Sequence, residues 1–164
     1  MVKLDSISTE QINQQTVHID QMDTLSMLQL INREDQKVAQ AVEQVLPQVA
    51  QAVDAICEKM SQGGRLVYCG CGTSGRLGIL DAVECPPTFG TDPEQVVGLI
   101  AGGTGAFVKA VEGAEDDFDL GRKDLEQINF SAQDILVGIA ASGRTPYVCG
   151  AMEYARSLGT TVVA

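Results

Sequence analysis

Apolar positions in the first third of the chain recur every three or four residues, which is the spacing of helices that bury one face. Asp23, a residue type that favours a helix N-cap, precedes one such stripe and predicts a helix over 23–32. A longer stripe through 36–61 predicts one long helix, or two helices with a bend at Pro47. The glycines within 62–64 predict where that helical region ends.

From residue 65 onward the pattern changes to short, continuous apolar runs separated by helical segments. The apolar runs are the candidate strands: 65–70, 95–103, 134–141 and 160–164. The segments between them have helical character: 74–83, 106–128 and 145–158. Because the candidate strands are apolar on both faces, this alternation predicts an α/β protein with a parallel sheet covered by helices on both sides.

The expected organisation is therefore a three-layer α/β/α domain preceded by N-terminal helices. We expect an N-terminal arm with helices that pack on the core over 1–62, and the α/β domain over 63–164. The chain ends on the fourth candidate strand without a closing helix. We therefore expect it to be the N-terminal part of a longer protein, truncated after about the fourth strand.

Charge and cysteine content restrict the partners. The formal net charge of −11 at pH 7 disfavours nucleic acid and anionic membranes, since no basic cluster offsets it. The N-terminus has no apolar core of the kind found in signal peptides, and no apolar run is long enough to span a bilayer. Five cysteines, an odd number placed within apolar segments, predict reduced thiols and a cytoplasmic location.

The sequence CGCGTSGRLG at 69–78 has three possible interpretations. A metal site is disfavoured because the cysteines are not spaced as C-x-x-C and the one histidine, His18, is far away in the sequence. Gly70, Gly72 and Gly75 match the G-x-G-x-x-G of dinucleotide-binding proteins. That fingerprint also needs an acidic residue at the end of the second strand, where this sequence reads GLIAGG.

A phosphate-binding loop is the third interpretation. Thr73 and Ser74 supply hydroxyl groups just before a candidate helix, whose N-terminus favours an anion. The same Ser-Gly-Arg order recurs after the third candidate strand, in ASGRTPYV at 141–148. The candidate ligands of a phosphate group are Gly72, Thr73, Ser74, Gly75, Ser142, Gly143, Arg144 and Thr145. The alternative is that the serines only cap helices, and Arg76 either adds charge or makes a structural pair.

Four longer segments resemble the N-acetylmuramic acid 6-phosphate etherases of the sugar isomerase (SIS) domain superfamily. They are GRLVYCGCGTSGRLGILDAVECPPTFG (64–90), GLIAGG (98–103), AVEGAEDD (110–117) and VGIAASGRTPYV (137–148). The resemblance implies a flavodoxin-like SIS fold and a cytoplasmic bacterial homodimer with sites shaped by both subunits. It also implies a lyase of cell-wall recycling that cleaves the lactyl ether of its sugar phosphate, releasing N-acetylglucosamine 6-phosphate and D-lactate without a metal or other cofactor.

This sequence departs from the family pattern at two positions near the implied site. Cys71 stands where the family has alanine, and Val83 stands where a serine is common. Family enzymes are also longer, so we expect weak or no turnover from residues 1–164 by themselves.

The resemblance implies that Glu84 and Glu115 are the catalytic residues. Glu84 would protonate the departing lactate and then activate water, and Glu115 would be the partner acid or base at the C2 proton, although these roles could be reversed. From the residues alone, Glu84 could be an exposed acid where the following Cys-Pro-Pro is expected to end the helix. Glu115 lies in an acidic run that is typical of a solvated face, and Glu112 is the alternative carboxylate.

Two other functions stay open at this level. One is aldose–ketose isomerisation of a sugar phosphate, which needs a carboxylate beside C2 but no acid at the C3 oxygen. The other is a non-catalytic sugar-phosphate sensor, because glucokinase regulatory proteins share much of the same pattern.

Overall fold

The computed structural model of the protein describes Thr9 and residues 11–164. The start of the predicted N-terminal arm, 1–8 and Glu10, lies outside the described residues. The chain divides into two compact units, Met1–Ala52 and Val53–Ala164.

The described residues of the first unit are mostly helical. Helix α1 spans Thr24–Glu43, and the Asp23 carboxylate caps it by accepting hydrogen bonds from the backbone N–H groups of Leu25 and Ser26. Helix α2 spans Leu46–Ser61 and continues into the second unit. The predicted cap is confirmed, and the second stripe does divide into two helices near Pro47. Its first part belongs to α1, which continues past the predicted end at residue 32. Pro47 lies in the first turn of α2, where a missing N–H breaks no helical hydrogen bond.

The second unit is built on a four-stranded sheet. Its strands are β1 (Leu66–Gly70), β2 (Val96–Ile100), β3 (Ile135–Ile139) and β4 (Val162–Val163). All neighbouring pairs are parallel, and the order across the sheet is β2-β1-β3-β4. The predicted α/β class with a parallel sheet and preceding helices is confirmed.

Helices cover both faces of this sheet because successive strand residues point to opposite sides. Val67 and Cys69 of β1 belong to a core beneath α4 (Phe118–Gln127) and α5 (Pro146–Ser157). Leu66 of β1 belongs to the core on the other face. That second core is completed by α3 (Gly72–Phe89) and by the last turns of α2.

Helix α3 is longer than the sequence predicted. It continues through Pro86 and Pro87 and ends at Gly90, which has a left-handed φ of 69°. The prediction that the prolines end the helix is therefore wrong. Proline has a helical φ, and two adjacent prolines in the last turn remove few hydrogen bonds, so the left-handed glycine ends the helix instead.

The segment predicted as a helix over 106–128 is also different. It contains two short 3₁₀ turns, Thr104–Phe107 and Ala114–Asp116, and only then helix α4. Gly113, with φ 77°, interrupts any continuous helix, and the Asp117 carboxylate starts α4 by accepting from the N–H of Leu120 at 3.0 Å.

An ion pair connects the strands at the edge of the sheet where they begin. Arg65 donates through its backbone N–H and its guanidinium to the Asp134 carboxylate, which is 3% exposed. Burial raises the pKa of Asp134, but the hydrogen bonds from Arg65 and Ser131 outweigh it and hold the pKa below its usual value. In the described part of the chain, no helix has the length and apolarity required to cross a membrane.

Candidate functional site

Both Ser-Gly-Arg segments lie at the carboxyl edge of the sheet. Strands β1 and β3 are neighbours, and their last residues, Gly70 and Ile139, are paired in register. The loop from β1 into α3 and the loop from β3 into α5 therefore leave the sheet side by side. Ligands of open parallel sheets bind at this edge.

The first loop brings the start of α3 very close to β1. A Cβ atom on Gly75 would lie 2.6 Å from the carbonyl oxygen of Gly70, so no other residue fits there without movement. The helix starts at Gly72, and its N-cap, Cys71, makes no side-chain cap hydrogen bond. Thr73 is exposed and lies inside the first turn. The first N–H groups of α3 therefore remain uncapped by a side chain and can face an anion.

The second loop is more open. Ser142, Gly143 and Arg144 are exposed, and Gly143 has a left-handed φ of 66° with empty space where its Cβ would be. Thr145 is the N-cap of α5, but its side chain makes no cap hydrogen bond, and Pro146 is the first helical residue. The alternative that the serines cap these helices is therefore not what the structure shows: Ser142 precedes the cap, and Ser74 is already inside α3.

A cavity of about 140 Å³ opens beside the first loop. Its wall is formed by Gly72 and Arg76 of α3 and by the segment that follows β2, including Glu112 and Glu115. The two candidate carboxylates of the acidic run thus reach the same cavity as the glycine of the predicted phosphate loop. Asp117, from the same run, instead caps α4.

Cys71 also lines this cavity and is half-buried. Burial raises the pKa of its thiol to about 12, and the nearby charge of Glu115 contributes to the shift. The thiol is therefore protonated at neutral pH and is a poor nucleophile. Within 11–164 and at Thr9, no group of three or more His, Cys, Asp or Glu side chains is arranged to hold a metal ion.

Glu84 lies away from this cavity. It is exposed on α3, twelve residues after Gly72, which corresponds to about 18 Å along the helix axis. It is not among the residues that line the cavity with Glu115. The cavity of one chain is thus lined by Glu115 but not by Glu84, the other glutamate that the resemblance singled out.

The outer side of α3 near Glu84 carries exposed apolar side chains. Leu77 and Leu80 share the face of Glu84 at helical spacing, and Val83 lies next to that face; the three side chains are 56%, 49% and 57% exposed. The same face also carries an exposed acid, Asp81, so it is mixed in character. These exposed apolar side chains were not predicted from the sequence, because the expected helix ended at residue 83 and its outer face was not assigned.

Arg76 makes the structural pair that the sequence left open. Its Nε and Nη2 atoms each donate a hydrogen bond of 2.8 Å, to the carbonyl oxygens of Phe107 and Ala106 respectively. The guanidinium group therefore connects the first turns of α3 to the 3₁₀ turn after β2. No sequence pattern indicated these partners, because they are backbone groups 30 and 31 residues away.

Comparisons with known proteins agree with this architecture. The family model of the glucokinase regulatory protein N-terminal SIS domain matches residues 48–156. The chain is 62% identical over 161 residues to an N-acetylmuramic acid 6-phosphate etherase of Photorhabdus laumondii, and 63% identical over 161 residues to one of Aeromonas hydrophila. It is 61% identical over 163 residues to N-acetylmuramic acid 6-phosphate etherase 1 of Vibrio cholerae.

These alignments cover 98–99% of this chain and 54% of each relative. The chain thus spans about half the length of the curated relatives it matches. The resemblance to the etherases that the sequence motifs indicated is confirmed, and the chain belongs to the family of the glucokinase regulatory protein N-terminal SIS domain.

Proposed function

We propose that this chain is part of an N-acetylmuramic acid 6-phosphate etherase, a carbon–oxygen lyase of amino sugar metabolism. The observation that carries the proposal is the cavity that Gly72 of the phosphate loop shares with Glu115. A sugar phosphate held at the loop would extend toward this carboxylate. The relatives are N-acetylmuramic acid 6-phosphate etherases, which adds the specific substrate to the proposal.

The phosphate group would bind between the two loops. Thr73, Ser74, Ser142 and Thr145 offer hydroxyl groups, and α3 offers uncapped backbone N–H groups at its positive end. Arg144 is exposed beside them and adds a full positive charge. Such local donors are necessary because the chain as a whole carries a net charge of −11.

The proposed reaction is an elimination followed by a hydration. In the open-chain sugar the C2 proton is α to the C1 aldehyde, so a carboxylate can remove it and form an enolate. The enolate collapses to a C2–C3 double bond while the C3–O bond breaks, and an acid protonates the oxygen that leaves with D-lactate. Water then adds at C3, and C2 regains a proton, which gives N-acetylglucosamine 6-phosphate.

We assign Glu115 to the C2 proton and Glu84 to the lactate oxygen and the incoming water. Glu115 is suited to its role because it lines the cavity. Glu84 lies about 18 Å along α3 from Gly72 and does not line the cavity of its own chain. We therefore propose that Glu84 acts in the cavity of a second copy of this chain, and that the exposed apolar side chains of α3, Leu77, Leu80 and Val83, are covered in a homodimer.

Release of D-lactate from N-acetylmuramic acid 6-phosphate tests the activity, with the protein as its gene encodes it in full. Glu84→Gln and Glu115→Gln should each lower kcat by at least about 1,000-fold, since each removes a group that transfers protons in the reaction. Asp119→Asn, a change in the same acidic region but outside the cavity, is the control and should keep full activity. Absence of lactate with the unmodified protein refutes the etherase proposal.

Mixing the two inactive variants tests the shared site. If each cavity takes Glu84 from its partner, a dimer of one Glu84→Gln and one Glu115→Gln subunit has one complete site, and random mixing should restore about a quarter of the activity. No recovery from mixed dimers would show that both carboxylates act from the same subunit.

One alternative function is favoured by a specific finding. The matching family model describes the N-terminal SIS domain of a regulatory protein, which fits a sensor that binds a sugar phosphate without turning it over. In that case the phosphate loops would bind the sugar phosphate, and replacement of either glutamate would leave its Kd unchanged. Conversion of an aldose phosphate to a ketose phosphate without lactate release would instead indicate the isomerase.

The proposed location is the cytoplasm. All five cysteines, Cys57, Cys69, Cys71, Cys85 and Cys149, are free thiols. This agrees with a reducing compartment.

A further inference from the structure

Arg76 holds two consecutive backbone carbonyl groups with one edge of its guanidinium. Its Nε–H and Nη2–H groups donate to Phe107 and Ala106, and both distances are 2.8 Å. Parallel donation of this kind uses the planar fork that arginine has and lysine lacks. The side chain itself belongs to the second turn of α3, four residues after Gly72.

The segment that Arg76 holds runs from the end of β2 to Glu115. It is folded on itself: Ala106 donates its N–H to Gly103, Lys109 donates to Gly105, and Asp116 donates to Gly113. Its outer residues are exposed, with Val108 at 88%. Among the described residues, the side-chain hydrogen bonds that this segment receives from α3 come from Arg76.

The same segment forms the cavity wall that carries the carboxylate. The wall includes Ala106 and continues through 110–114 to Glu115, so the carbonyl that Arg76 binds and the carboxylate lie on one short stretch. Glu115 is exposed and lies in a three-residue 3₁₀ turn, Ala114–Asp116, which offers little rigidity of its own. Its position therefore depends on how firmly the preceding turn is held.

We propose that Arg76 is a positioning residue that fixes the 104–115 segment, and through it the Glu115 carboxylate, relative to the phosphate loop at the start of α3. This inference rests on the proposed function, because it assigns Glu115 to the chemistry. The anchor and the phosphate loop belong to the same turns of one helix. A phosphate bound at α3 and an acid–base group held from α3 thus keep one fixed separation, which is what a proton transfer at a defined carbon requires.

The test compares Arg76→Ala, Arg76→Lys and Arg122→Ala in the protein as its gene encodes it in full. Arg122 is a matched control, since it is an exposed arginine whose guanidinium pairs with Glu126 on the surface of α4. We expect Arg76→Ala to lower kcat by roughly 10- to 100-fold with KM changed by less than about threefold, because substrate binding remains and only alignment is lost. Arg76→Lys should recover part of the loss, and Arg122→Ala should behave as the unmodified protein.

Amide hydrogen exchange supplies a readout that does not depend on turnover. Arg76→Ala should speed exchange across 104–117 by at least about tenfold, while β1 and β3 stay protected. Arg76→Lys, which keeps the charge, covers the case in which the alanine variant does not fold.

Two results would overturn the proposal: an increase in KM with unchanged kcat, which would show that Arg76 binds substrate directly, or unchanged exchange in 104–117. Failure of the etherase proposal looks different, since the unmodified protein would then release no lactate while the exchange comparison still decides whether Arg76 anchors the segment.

Discussion

The two Ser-Gly-Arg segments both follow a strand of the parallel sheet, yet they fold differently. Residues 74–76 lie inside the first turns of α3, whereas residues 142–144 all precede α5. In the first segment the glycine is buried against β1 and the arginine binds two backbone carbonyls. In the second segment the glycine and the arginine are exposed.

The position of the helix start explains this difference. Gly72, with a left-handed φ of 53°, lets α3 begin two residues before Ser74. Pro146 is suited to the first turn of α5, and this places Ser142-Gly143-Arg144 in the loop. The sequence Ser-Gly-Arg therefore forms part of a packed helix after β1 and part of an exposed loop after β3.

The largest expected contrast concerns the two glycines. Gly75→Ala should lower the free energy of unfolding by about 3 kcal/mol, because its Cβ would lie 2.6 Å from the Gly70 carbonyl oxygen and 2.7 Å from Ile100 Cγ1. Gly143→Ala has open space and should cost about 1 kcal/mol, from its left-handed φ. Urea unfolding measures both, and equal losses would show that the first loop is not tightly packed.

Replacement of the two arginines should affect different properties: protein stability for Arg76 and phosphate binding for Arg144. Arg76→Ala removes two charge-assisted hydrogen bonds to carbonyls and should cost about 2 kcal/mol of unfolding free energy. Arg144→Ala changes an exposed side chain and should stay within about 0.5 kcal/mol of the unmodified protein. If Arg144 contacts the phosphate as proposed, its replacement raises the Kd for N-acetylglucosamine 6-phosphate, measured by calorimetry.

Replacement of the hydroxyl groups tests whether both loops bind the phosphate group. Thr73→Val and Ser142→Ala should each weaken binding of N-acetylglucosamine 6-phosphate by about tenfold, the value of one lost hydrogen bond to a charged group. Ser157→Ala is the control, since its hydroxyl binds the Tyr154 carbonyl oxygen at the far end of α5. A loss confined to Thr73→Val would restrict phosphate binding to the first loop.

The smallest effect concerns the thiol that only the first loop carries. Burial, followed by the charge of Glu115, raises the pKa of Cys71 to about 12, so its alkylation by iodoacetamide should be slow at pH 8 and rise toward pH 12. Since burial is the larger cause, Glu115→Gln should speed this alkylation by only about threefold at pH 8. The exposed Cys57 is the internal control, and mass spectrometry of the labelled peptides separates the two sites.

The same pKa shift implies a pH dependence of stability. The proton on Cys71 is held more tightly in the folded state than in the unfolded chain, whose thiol has a pKa near 9. The contribution of this thiol to the free energy of unfolding is therefore complete below about pH 9 and is lost as the pH rises through 12. Cys71→Ala should remove this part of the alkaline destabilisation.

Fold prediction succeeded where one periodicity dominated the local sequence. The continuous apolar runs became the parallel strands, and Pro146 marked the first position of α5. It failed where two signals competed. Pro86 and Pro87 predicted a helix end, but the helical φ of proline allowed α3 to continue to Phe89. The segment 106–128 was predicted as one helix, but Gly113 interrupts it.

The sequence by itself determined the α/β class, the succession of strands and helices along the chain, and the two hydroxyl-rich loops, because these follow from local periodicity and from glycine and proline geometry. Only the tertiary structure decided which candidates share a site. It placed Glu115 and Gly72 on one cavity, put Glu84 beside exposed apolar side chains outside that cavity, and gave Arg76 its carbonyl partners. These relations join residues far apart in the sequence. They depend on the order of the strands in the sheet and on the length of α3, and no local sequence pattern encodes either of these.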